Sequence, residues 1–257
     1  MLMLSLDELI TLALRIKDRS LDYIGVDKEY DYESAGGDTS RAIDEAAEEE
    51  LRRWLSEKKK FPDILSEETG LIKGEERGIL LIDPIDGSAN ADRGLPFSCV
   101  SIAYCKSYSL RDLELAVILD IFSGDLYYAT RGQGCFLNGK RVRVRRLRGT
   151  PLIYAPCQEG DILSKDVLGF KHIARRDFGS IALGLAYTAS GKIDVLADLR
   201  GSLRVVDVAA GLLLVKEADG YVYVNKLEIS GLSRELSVVA GSKELVDKVA
   251  VKSMVPI

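Results

Sequence analysis

The chain has 257 residues, of which 47% are hydrophobic and 29% are charged, and its formal net charge is −5 at pH 7. This length and apolar content fit one large α/β domain or two closely packed halves, and the acidic balance argues against nucleic acid as the main partner. No apolar run reaches the roughly 18 to 20 residues that a membrane span needs, and no basic segment precedes an apolar core as in a secretory signal. The composition therefore predicts a cytoplasmic protein without a membrane partner.

Two amphipathic helices are predicted at the start of the chain. In the first, an apolar stripe follows Ser5, which together with Glu8 has the spacing of a capping box. The second runs from about Ser40 to Lys60, after a polar, glycine-containing segment at Tyr23 to Thr39.

Short apolar runs bounded by polar residues predict the strands. These runs lie at Ile64-Leu65, Ile79 to Ile82, Cys99 to Tyr104, Leu115 to Leu119, Leu126 to Ala129, Val142 to Val144, Ile193 to Ala197, Tyr221 to Val224 and Leu236 to Ala240. Further helices are predicted near Ser180 to Ala189, near Val206 to Lys216 and from about Ser242. The implied class is α/β (α+β), with mixed sheets layered with helices. We expect one unit over residues 1–257, with a seam near Asn138 to Pro151 between halves of about 1–140 and 141–257.

A pair of aspartates at a strand end carries the strongest signal for chemistry. An apolar run from Gly78 to Ile82 reads as a buried strand that ends in Asp83, and Pro84 is expected to turn the backbone directly afterwards. Residues three apart in an extended strand point to opposite faces, so this turn would let Asp83 and Asp86 share one cation.

An anion site is predicted next to this pair. Gly87 and Ser88 follow Asp86, where a helix can begin. Free backbone amides at a helix start, with the helix dipole behind them, favour a bound phosphate. The alternative interpretation of the whole segment is a capped turn.

Three further carboxylates stand out from the 40 acidic residues. Glu67 and Glu68 close a short strand, although each taken alone is equally consistent with a solvated surface. Asp207 opens an otherwise apolar helix, where an unpaired charge would cost several kcal/mol and therefore requires a cation or several donors. The chain has one histidine, His172, and no Cys/His cluster accompanies these acids. Oxygen-only ligation favours Mg²⁺ first and Mn²⁺ second, and it disfavours Zn²⁺.

The four cysteines, Cys99, Cys105, Cys135 and Cys157, lack CxxC spacing and sit among apolar residues. This pattern favours buried free thiols over metal ligands or an obligatory disulfide. Only two Gln and three Asn stand against the many charged residues, a bias that indicates a thermophile. Because intracellular proteins of hyperthermophiles do carry disulfides, pairing of the cysteines stays open.

The segment Asp83 to Ser88 resembles the DPIDG[T/S] signature of the inositol monophosphatase family, within the wider Li⁺-sensitive, Mg²⁺-dependent sugar phosphatases. Other segments agree in order and spacing over almost the whole chain. They are Asp44 in the second helix, Ser66 to Thr69 (the family's GEE segment), Gly132 to Gly139 (its GxGxxxNG turn) and Asp207 to Gly211 (its WDxAAG signature). The chain departs from the pattern at Val206, where Trp is frequent, and at Ser88, where Thr is commoner.

The resemblance implies the layered αβαβα sugar-phosphatase fold and a metal-binding first half. Two or three Mg²⁺ ions, with Mn²⁺ as a possible substitute, would be held by Glu67, Asp83, Asp86, Asp207, the backbone carbonyl of Ile85 and, for a more weakly held ion, Asp38. Because relatives of this kind commonly form dimers, the resemblance also implies a homodimer.

The resemblance further implies that water attacks phosphorus directly, without a phosphoenzyme. Ser88 with Asp44 would orient and deprotonate this water, and Glu68 would assist through a neighbouring water. The amides of Gly87, Ser88 and Ala89 would hold the phosphate. The DxxD spacing disfavours a haloacid-dehalogenase phosphatase, which uses DxD with a nucleophilic first aspartate.

Substrate choice is assigned by the resemblance to the second half, from about residue 141. The segment from Arg175 to Ser180, which includes Arg176 and Gly179, resembles the family's lead into a helix near the sugar, and Asp198 falls where the family places an acceptor for substrate hydroxyls. The basic segment from Asp198 to Arg204 resembles archaeal-type members that act on both inositol monophosphate and fructose 1,6-bisphosphate. Binding of a second phosphate requires cationic side chains, for which the candidates are Arg176, Arg200 and Arg204. The sequence is equally consistent with these being surface arginines of a thermophile that bind no phosphate.

One basic cluster runs from Lys140 to Arg148. The alternation of Arg141, Arg143 and Arg145 predicts one strand face that is solvated or forms an interface, in preference to RNA binding.

Two other functions stay open. A bacterial relative works in transcription complexes, so a non-catalytic interaction module of the same fold is one alternative, although such a module has no physical need for converging carboxylates. The other is a nucleotide phosphatase acting on phosphoadenosine phosphate or NADP(H), for which the sequence shows no obvious aromatic cluster to hold an adenine. The main hypothesis is a Mg²⁺-dependent phosphatase of small sugar or polyol phosphates, most simply inositol 1-phosphate or fructose 1,6-bisphosphate.

Overall fold

The computed structural model describes residues 4–26, 29–37, 39–156, 171–249 and 253–257, and the backbone alone of residues 29–33. Elements are numbered in chain order within these ranges. The helices are α1 (Leu6–Ser20), α2 (Ala42–Ser56), α3 (Ser88–Asp92), α4 (Ile181–Ala189), α5 (Val205–Glu217) and α6 (Lys243–Val249). Among these helices none is long and apolar enough to cross a bilayer.

The strands form two large mixed sheets and one hairpin. The hairpin pairs β1 (Glu29–Glu33) with β2 (Thr39–Arg41). The larger sheet has the spatial order β10 (Lys140–Val142), β9 (Gly134–Leu137), β8 (Leu126–Thr130), β7 (Leu113–Asp120), β6 (Cys99–Cys105), β5 (Glu76–Asp86), β3 (Pro62–Ser66), β4 (Gly70–Ile72). The smaller sheet has the order β12 (Ala174–Arg176), β11 (Leu152–Tyr154), β13 (Val195–Leu203), β15 (Leu236–Gly241), β14 (Tyr221–Val224), β16 (Val255–Pro256). Parallel pairing occurs between β3 and β5 and between β11 and its two neighbours.

Helices and sheets stack in alternating layers, which confirms the αβαβα fold expected from the sequence. The apolar stripes of α1 and α2 pack on one face of the larger sheet. The nearly all-apolar helices α4 and α5 lie between the two sheets, where both of their faces are buried. Helix α6 covers the outer face of the smaller sheet. The halves at about 1–140 and 141–257 remain a proposal, because α5 belongs by sequence to the second half but packs into a core shared with the larger sheet.

Local signals at the chain start are confirmed. Ser5 caps α1, with its hydroxyl accepting from the amide of Glu8 at 3.2 Å while the Glu8 carboxylate accepts from the amide of Ser5 at 2.8 Å. The second helix is shorter than predicted, since Ser40 belongs to β2.

The expected turn at Pro84 is wrong, because β5 continues through Asp86. Asp83 pairs with Ser101 of β6 and Asp86 pairs with Cys99, so β5 holds one more residue than its partner between the two pairs. This extra residue is a β-bulge, a place where proline, with no amide hydrogen to donate to the ladder, is tolerated. The bulge, rather than a turn, changes the direction of the chain between the two aspartates.

The arginine-rich segment also differs from the prediction, because its strand ends at Val142. Arg143 pairs instead with Asp219 at 2.9 Å, and Arg145 lies 3.8 Å from Asp194. The arginines therefore do not share one strand face. Of the cysteines, Cys99, Cys105 and Cys135 are confirmed as buried free thiols, and Cys157 lies outside the described residues.

Candidate metal and phosphate site

Three carboxylates from three different elements converge at one end of the larger sheet. Ser66, the last residue of β3, is in register with Ile82 of the parallel strand β5, so the next residues, Glu67 after β3 and Asp83 within β5, lie side by side. Asp207 approaches from the first turn of α5. One oxygen of each of Glu67, Asp83 and Asp207 lies within 4.8 Å of the others. This grouping is called the carboxylate cluster below.

Hydrogen bonds fix the two aspartates that flank the bulge in β5. The amide of Ile85 donates to Asp83 Oδ1 at 3.0 Å. Asp86 is held by the start of α4, where the Ser180 hydroxyl donates to its Oδ2 at 2.6 Å and the Ala182 amide donates to the same oxygen at 2.7 Å. Both of these hydrogen bonds are made to Oδ2, and neither of them involves Oδ1.

Burial and mutual repulsion disfavour ionisation of these acids. Burial raises the pKa of Asp83 well above its usual range, and the neighbouring charges of Glu67, Asp86 and Asp207 raise it further. Burial raises the pKa of Glu67 to about 8, although Arg204 opposes the shift. Burial also raises the pKa of Asp86 to about 6. Such a set of crowded oxygen donors fits a hard divalent cation, which would stabilise the ionised forms.

Arg204 lies inside the carboxylate cluster. Its Nη1 is 2.6 Å from Glu67 Oε1 and its Nε is 3.1 Å from Asp207 Oδ1. The residue is only 8% exposed. The sequence placed Arg204 among the candidates for a second phosphate, whereas here its guanidinium serves as a counter-ion to two proposed metal ligands.

Ser88 begins α3 directly beside the cluster. Gly87 precedes it with φ of 86°, a left-handed conformation that suits glycine, and a Cβ there would come within 2.6 Å of the Phe97 carbonyl oxygen. Glycine is therefore required at this turn, and α3 begins where the sequence predicted a helix start.

Asp44 occupies the first turn of α2 and faces the same cleft. Its Oδ2 accepts from the amide of Arg41 at 3.0 Å. Burial, followed by the charge of Glu68, raises the pKa of Asp44 to about 8. Glu68 accepts from the Ser40 hydroxyl at 2.8 Å.

Arg41 is a site residue that the sequence reasoning missed. Its Nη1 donates to Ser88 Oγ at 3.3 Å, and its Nε lies 2.6 Å from Oδ2 of the buried Asp92. Arg41 thus contacts both Ser88 and, through its backbone amide, Asp44. A cation at the start of a helix is electrostatically unfavourable, so its place directly before α2 was an available signal.

Glu48 is a second missed residue. It is fully buried in α2, accepts from the Ser66 hydroxyl at 2.7 Å and also accepts from the Thr69 hydroxyl. These contacts hold the chain on both sides of Glu67 and Glu68. Its place one helical turn after Asp44 was the signal for a shared helix face.

A cleft of about 380 Å³ joins these groups. It is lined by Thr39, Arg41, Asp44, Glu67, Glu68, Asp83, Ile85, Asp86, Gly87, Ser88, Ala89, Gly179 and Arg204. Most of the predicted metal, catalytic and phosphate-binding residues therefore share one cavity. Asp38 lies outside the described residues.

The residues predicted to bind the substrate are more dispersed than those predicted to bind metal and phosphate. Ser180 is buried and donates to Asp86 rather than opening onto the cleft. Asp198 is fully buried, and the guanidinium of Arg200 donates to both of its oxygens, to Oδ1 at 3.0 Å and to Oδ2 at 2.5 Å. Arg176 is exposed at the edge strand β12, where its Nη1 donates to the Arg175 carbonyl at 2.7 Å.

Tertiary structure assembles an aromatic cluster that the sequence did not reveal. Phe178 stacks on Phe97 with ring centroids 4.9 Å apart and also contacts Tyr154 and Tyr187 at 5.5 and 5.8 Å. These rings pack against one another and against the core between the sheets. Their mutual packing gives no support to an adenine-binding site.

Comparisons with known proteins agree with this geometry. The model of the inositol monophosphatase family matches residues 6–254. This chain belongs to the inositol monophosphatase family. It is accordingly a phosphoric monoester hydrolase, and its family is Mg²⁺-dependent.

Relatives of this family member carry two kinds of name. A "Fructose-1,6-bisphosphatase/inositol-1-monophosphatase" of Methanothermobacter thermautotrophicus is 34% identical over 238 residues, covering 84% of this chain and 83% of the relative. A "Nus factor SuhB" of Xylella fastidiosa is 40% identical over 196 residues, covering 72% and 68%. A crystal structure described as an inositol monophosphatase-fructose 1,6 bisphosphatase superposes with a TM-score of 0.84 at 26% identity, covering 95% of this chain and 98% of the other.

Proposed function

We propose that this phosphatase hydrolyses phosphomonoesters of small sugars or polyols, inositol 1-phosphate and/or fructose 1,6-bisphosphate, by direct attack of water in the presence of Mg²⁺. The observation that carries the proposal is the convergence of Glu67, Asp83 and Asp207 within 4.8 Å, with Glu67 and Asp83 lining the same cleft as Ser88. A buried group of like charges is costly unless a cation compensates it.

The metal ligands in this proposal are Glu67, Asp83, Asp86, Asp207 and the carbonyl of Ile85, with Asp38 for an additional ion. Two or three Mg²⁺ ions are proposed, and Mn²⁺ as a substitute. When bound, they supply Lewis-acid polarisation of the phosphate and activation of the attacking water.

The remaining residues orient the reactants and move the proton. The amides of Gly87, Ser88 and Ala89 would bind the phosphate oxygens at the start of α3. Ser88 Oγ would orient the attacking water, and Asp44 would accept its proton, a task for which a pKa near 8 is well matched. Glu68, at the wall of the same cleft, would assist through a neighbouring water.

The proposed substrates follow the names of the relatives given above and the arginines of the second half. A second phosphate would be met by Arg176 and Arg200, and by Arg204 if it leaves the cluster. Asp198 can accept a substrate hydroxyl only if Arg200 releases one of its oxygens. Gly179, which lines the cleft, and Ser180, which fixes Asp86, would position the sugar from the start of α4.

The test is a phosphate-release panel with inositol 1-phosphate, fructose 1,6-bisphosphate, phosphoadenosine phosphate and NADP⁺, each with and without Mg²⁺. We expect Mg²⁺-dependent release from one or both of the first two compounds. Asp83→Asn should reduce that release by more than about 100-fold, whereas Asp18→Asn, a matched change at an exposed position of α1, should not. Undiminished release by Asp83→Asn would remove the metal-dependent assignment.

The similarity to a Nus factor keeps an interaction module as the second candidate. Absence of phosphate release from all four compounds, together with an intact fold, would favour it. The proposed homodimer is tested separately by sedimentation analysis of the full chain.

A further inference from the structure

The guanidinium of Arg204 occupies the space between two proposed metal ligands. It contacts Glu67 Oε1 at 2.6 Å and Asp207 Oδ1 at 3.1 Å. Its charge also lowers the pKa of Asp83 and Asp86, two further proposed metal ligands, against the effect of burial. One side chain thus interacts favourably with all four acids, although its single charge cannot balance theirs.

A divalent ion and this guanidinium require the same oxygens. Mg²⁺ binds oxygen ligands at about 2.0 to 2.1 Å in a near-ideal octahedron, which a bulky planar donor between Glu67 and Asp207 would disrupt. Two cations at this spacing also repel each other, and the repulsion is strong where water is excluded. The acids can be compensated by the ion or by Arg204 in its present position.

We propose that Arg204 is a built-in counter-ion of the carboxylate cluster: it stabilises the metal-free protein, it moves out from between Glu67 and Asp207 when a divalent ion binds, and it thereby weakens the affinity for that ion. This inference rests on the proposed function only in requiring that a divalent cation binds at the cluster.

The surroundings of Arg204 permit such a movement. Its backbone amide donates to Asp207 Oδ2 at 2.8 Å and caps α5, a contact that does not depend on the side chain. On the other side, Nη1 donates to the Gly36 carbonyl oxygen at 3.4 Å, a long bond that the movement would break, and a Cβ at Gly36 would lie 2.5 Å from Nη1. Since Gly36 closes that side and Arg204 lines the cleft, the open direction for the guanidinium is into the cleft.

The test compares Mn²⁺ binding by the wild type and Arg204→Met, with free Mn²⁺ measured by electron paramagnetic resonance. Methionine keeps an unbranched stem and removes the charge. We expect the first Mn²⁺ to bind about tenfold more tightly to Arg204→Met, which corresponds to about 1.4 kcal/mol. The melting temperature of the metal-free variant should be lower than that of the wild type, while saturating Mn²⁺ should largely restore it.

Arg15→Met is the matched control. Arg15 bridges two carboxylates, Glu50 at 2.5 Å and Glu57 at 2.8 Å, between α1 and α2. The substitution changes the net charge by the same amount and should leave Mn²⁺ affinity unchanged. An equal tightening in this control would attribute the effect to net charge and overturn the proposal.

Arg204→Lys is the second variant, which tests the proposal if Arg204→Met does not fold without metal. Lysine keeps the charge but cannot bridge Glu67 and Asp207 as a planar fork does, so we expect Mn²⁺ to bind more tightly than in the wild type and less tightly than in Arg204→Met. Unchanged or weaker Mn²⁺ binding in these variants would refute the counter-ion role. Failure of the wild type to bind Mn²⁺ would instead count against the proposed function.

Discussion

Charge compensation differs between the carboxylate cluster beside the larger sheet and Asp198, a single buried acid of the smaller sheet. In the carboxylate cluster, Arg204 serves Glu67, Asp83 and Asp207 together. On β13, Asp198 is fully buried, and the Arg200 guanidinium donates hydrogen bonds to both of its oxygens. The pairing of Asp198 with Arg200 is what a buried acid needs for stability, whereas the carboxylate cluster keeps negative charge in excess. This excess of negative charge supports the proposal that the cluster binds divalent cations.

The largest effect is expected from substitution inside the cluster. Asp83→Asn should abolish most phosphatase activity and yet raise the melting temperature of the metal-free protein at pH 8, because one of several mutually repelling acids is neutralised. The Ile85 amide can still donate to the amide oxygen of the substituted side chain. Thermal unfolding in chelator checks this sign, and a lower melting temperature would show that the cluster is adequately compensated.

The opposite sign is expected on β13. Asp198→Asn leaves Arg200 without its anionic partner and should reduce the free energy of unfolding by about 3 kcal/mol. Urea denaturation in the presence and absence of Mg²⁺ provides the measurement. Equal stability of Asp198→Asn and wild type would contradict the proposed difference between Asp198 and the carboxylate cluster.

A pH effect of intermediate size is expected from Asp44. Its pKa is raised from 3.8 to about 8 by burial and by Glu68, so between these pH values the folded protein binds more protons at this site than the unfolded chain. The stabilising contribution of protonated Asp44 is present below about pH 4 and is lost as pH rises to 8.

The comparison of wild type with Asp44→Asn isolates this contribution from those of other acids. In metal-free protein, the variant should become more stable relative to the wild type as pH increases from 5 to 8. A constant difference across that range, measured by urea denaturation, would contradict the raised pKa.

The smallest effect is expected at an exposed pair. Arg143 and Asp219 lie 2.9 Å apart with side chains 66% and 63% exposed, a setting in which ion pairs contribute little. Arg143→Gln should leave both melting temperature and Mn²⁺ affinity within experimental error. A clear loss of stability would mean that this pair has a role beyond its surface contact.

The sequence predicted the acids of the site because their local contexts are unusual. Asp83 follows an apolar run, and Asp207 opens an apolar helix, so each required compensation wherever the fold placed it. Arg204 was noted only as one basic residue among several. Arg204 and Glu67 are more than a hundred positions apart in the sequence, so no periodic pattern predicts their contact.

Boundaries and long-range pairings were the least predictable features. Pro84 suggested a turn, but a bulge between Asp83 and Asp86 resolves the same steric constraint while keeping β5 paired with β6. Arg41 and Glu48 act through contacts with Ser88 and Ser66 that arise only when α2 packs beside the sheet.

The sequence by itself determined the layered α/β class, the helix caps and the identity of the acids, since these depend on hydrophobic period, local hydrogen bonding and residue type. The tertiary structure decided which charges meet. It placed Arg204 in the carboxylate cluster, withdrew Asp198 and Ser180 into buried contacts, and packed the aromatic rings of Phe97 and Phe178 together. Electrostatic compensation depends on distances of a few ångströms between residues remote in sequence, and folding alone sets those distances.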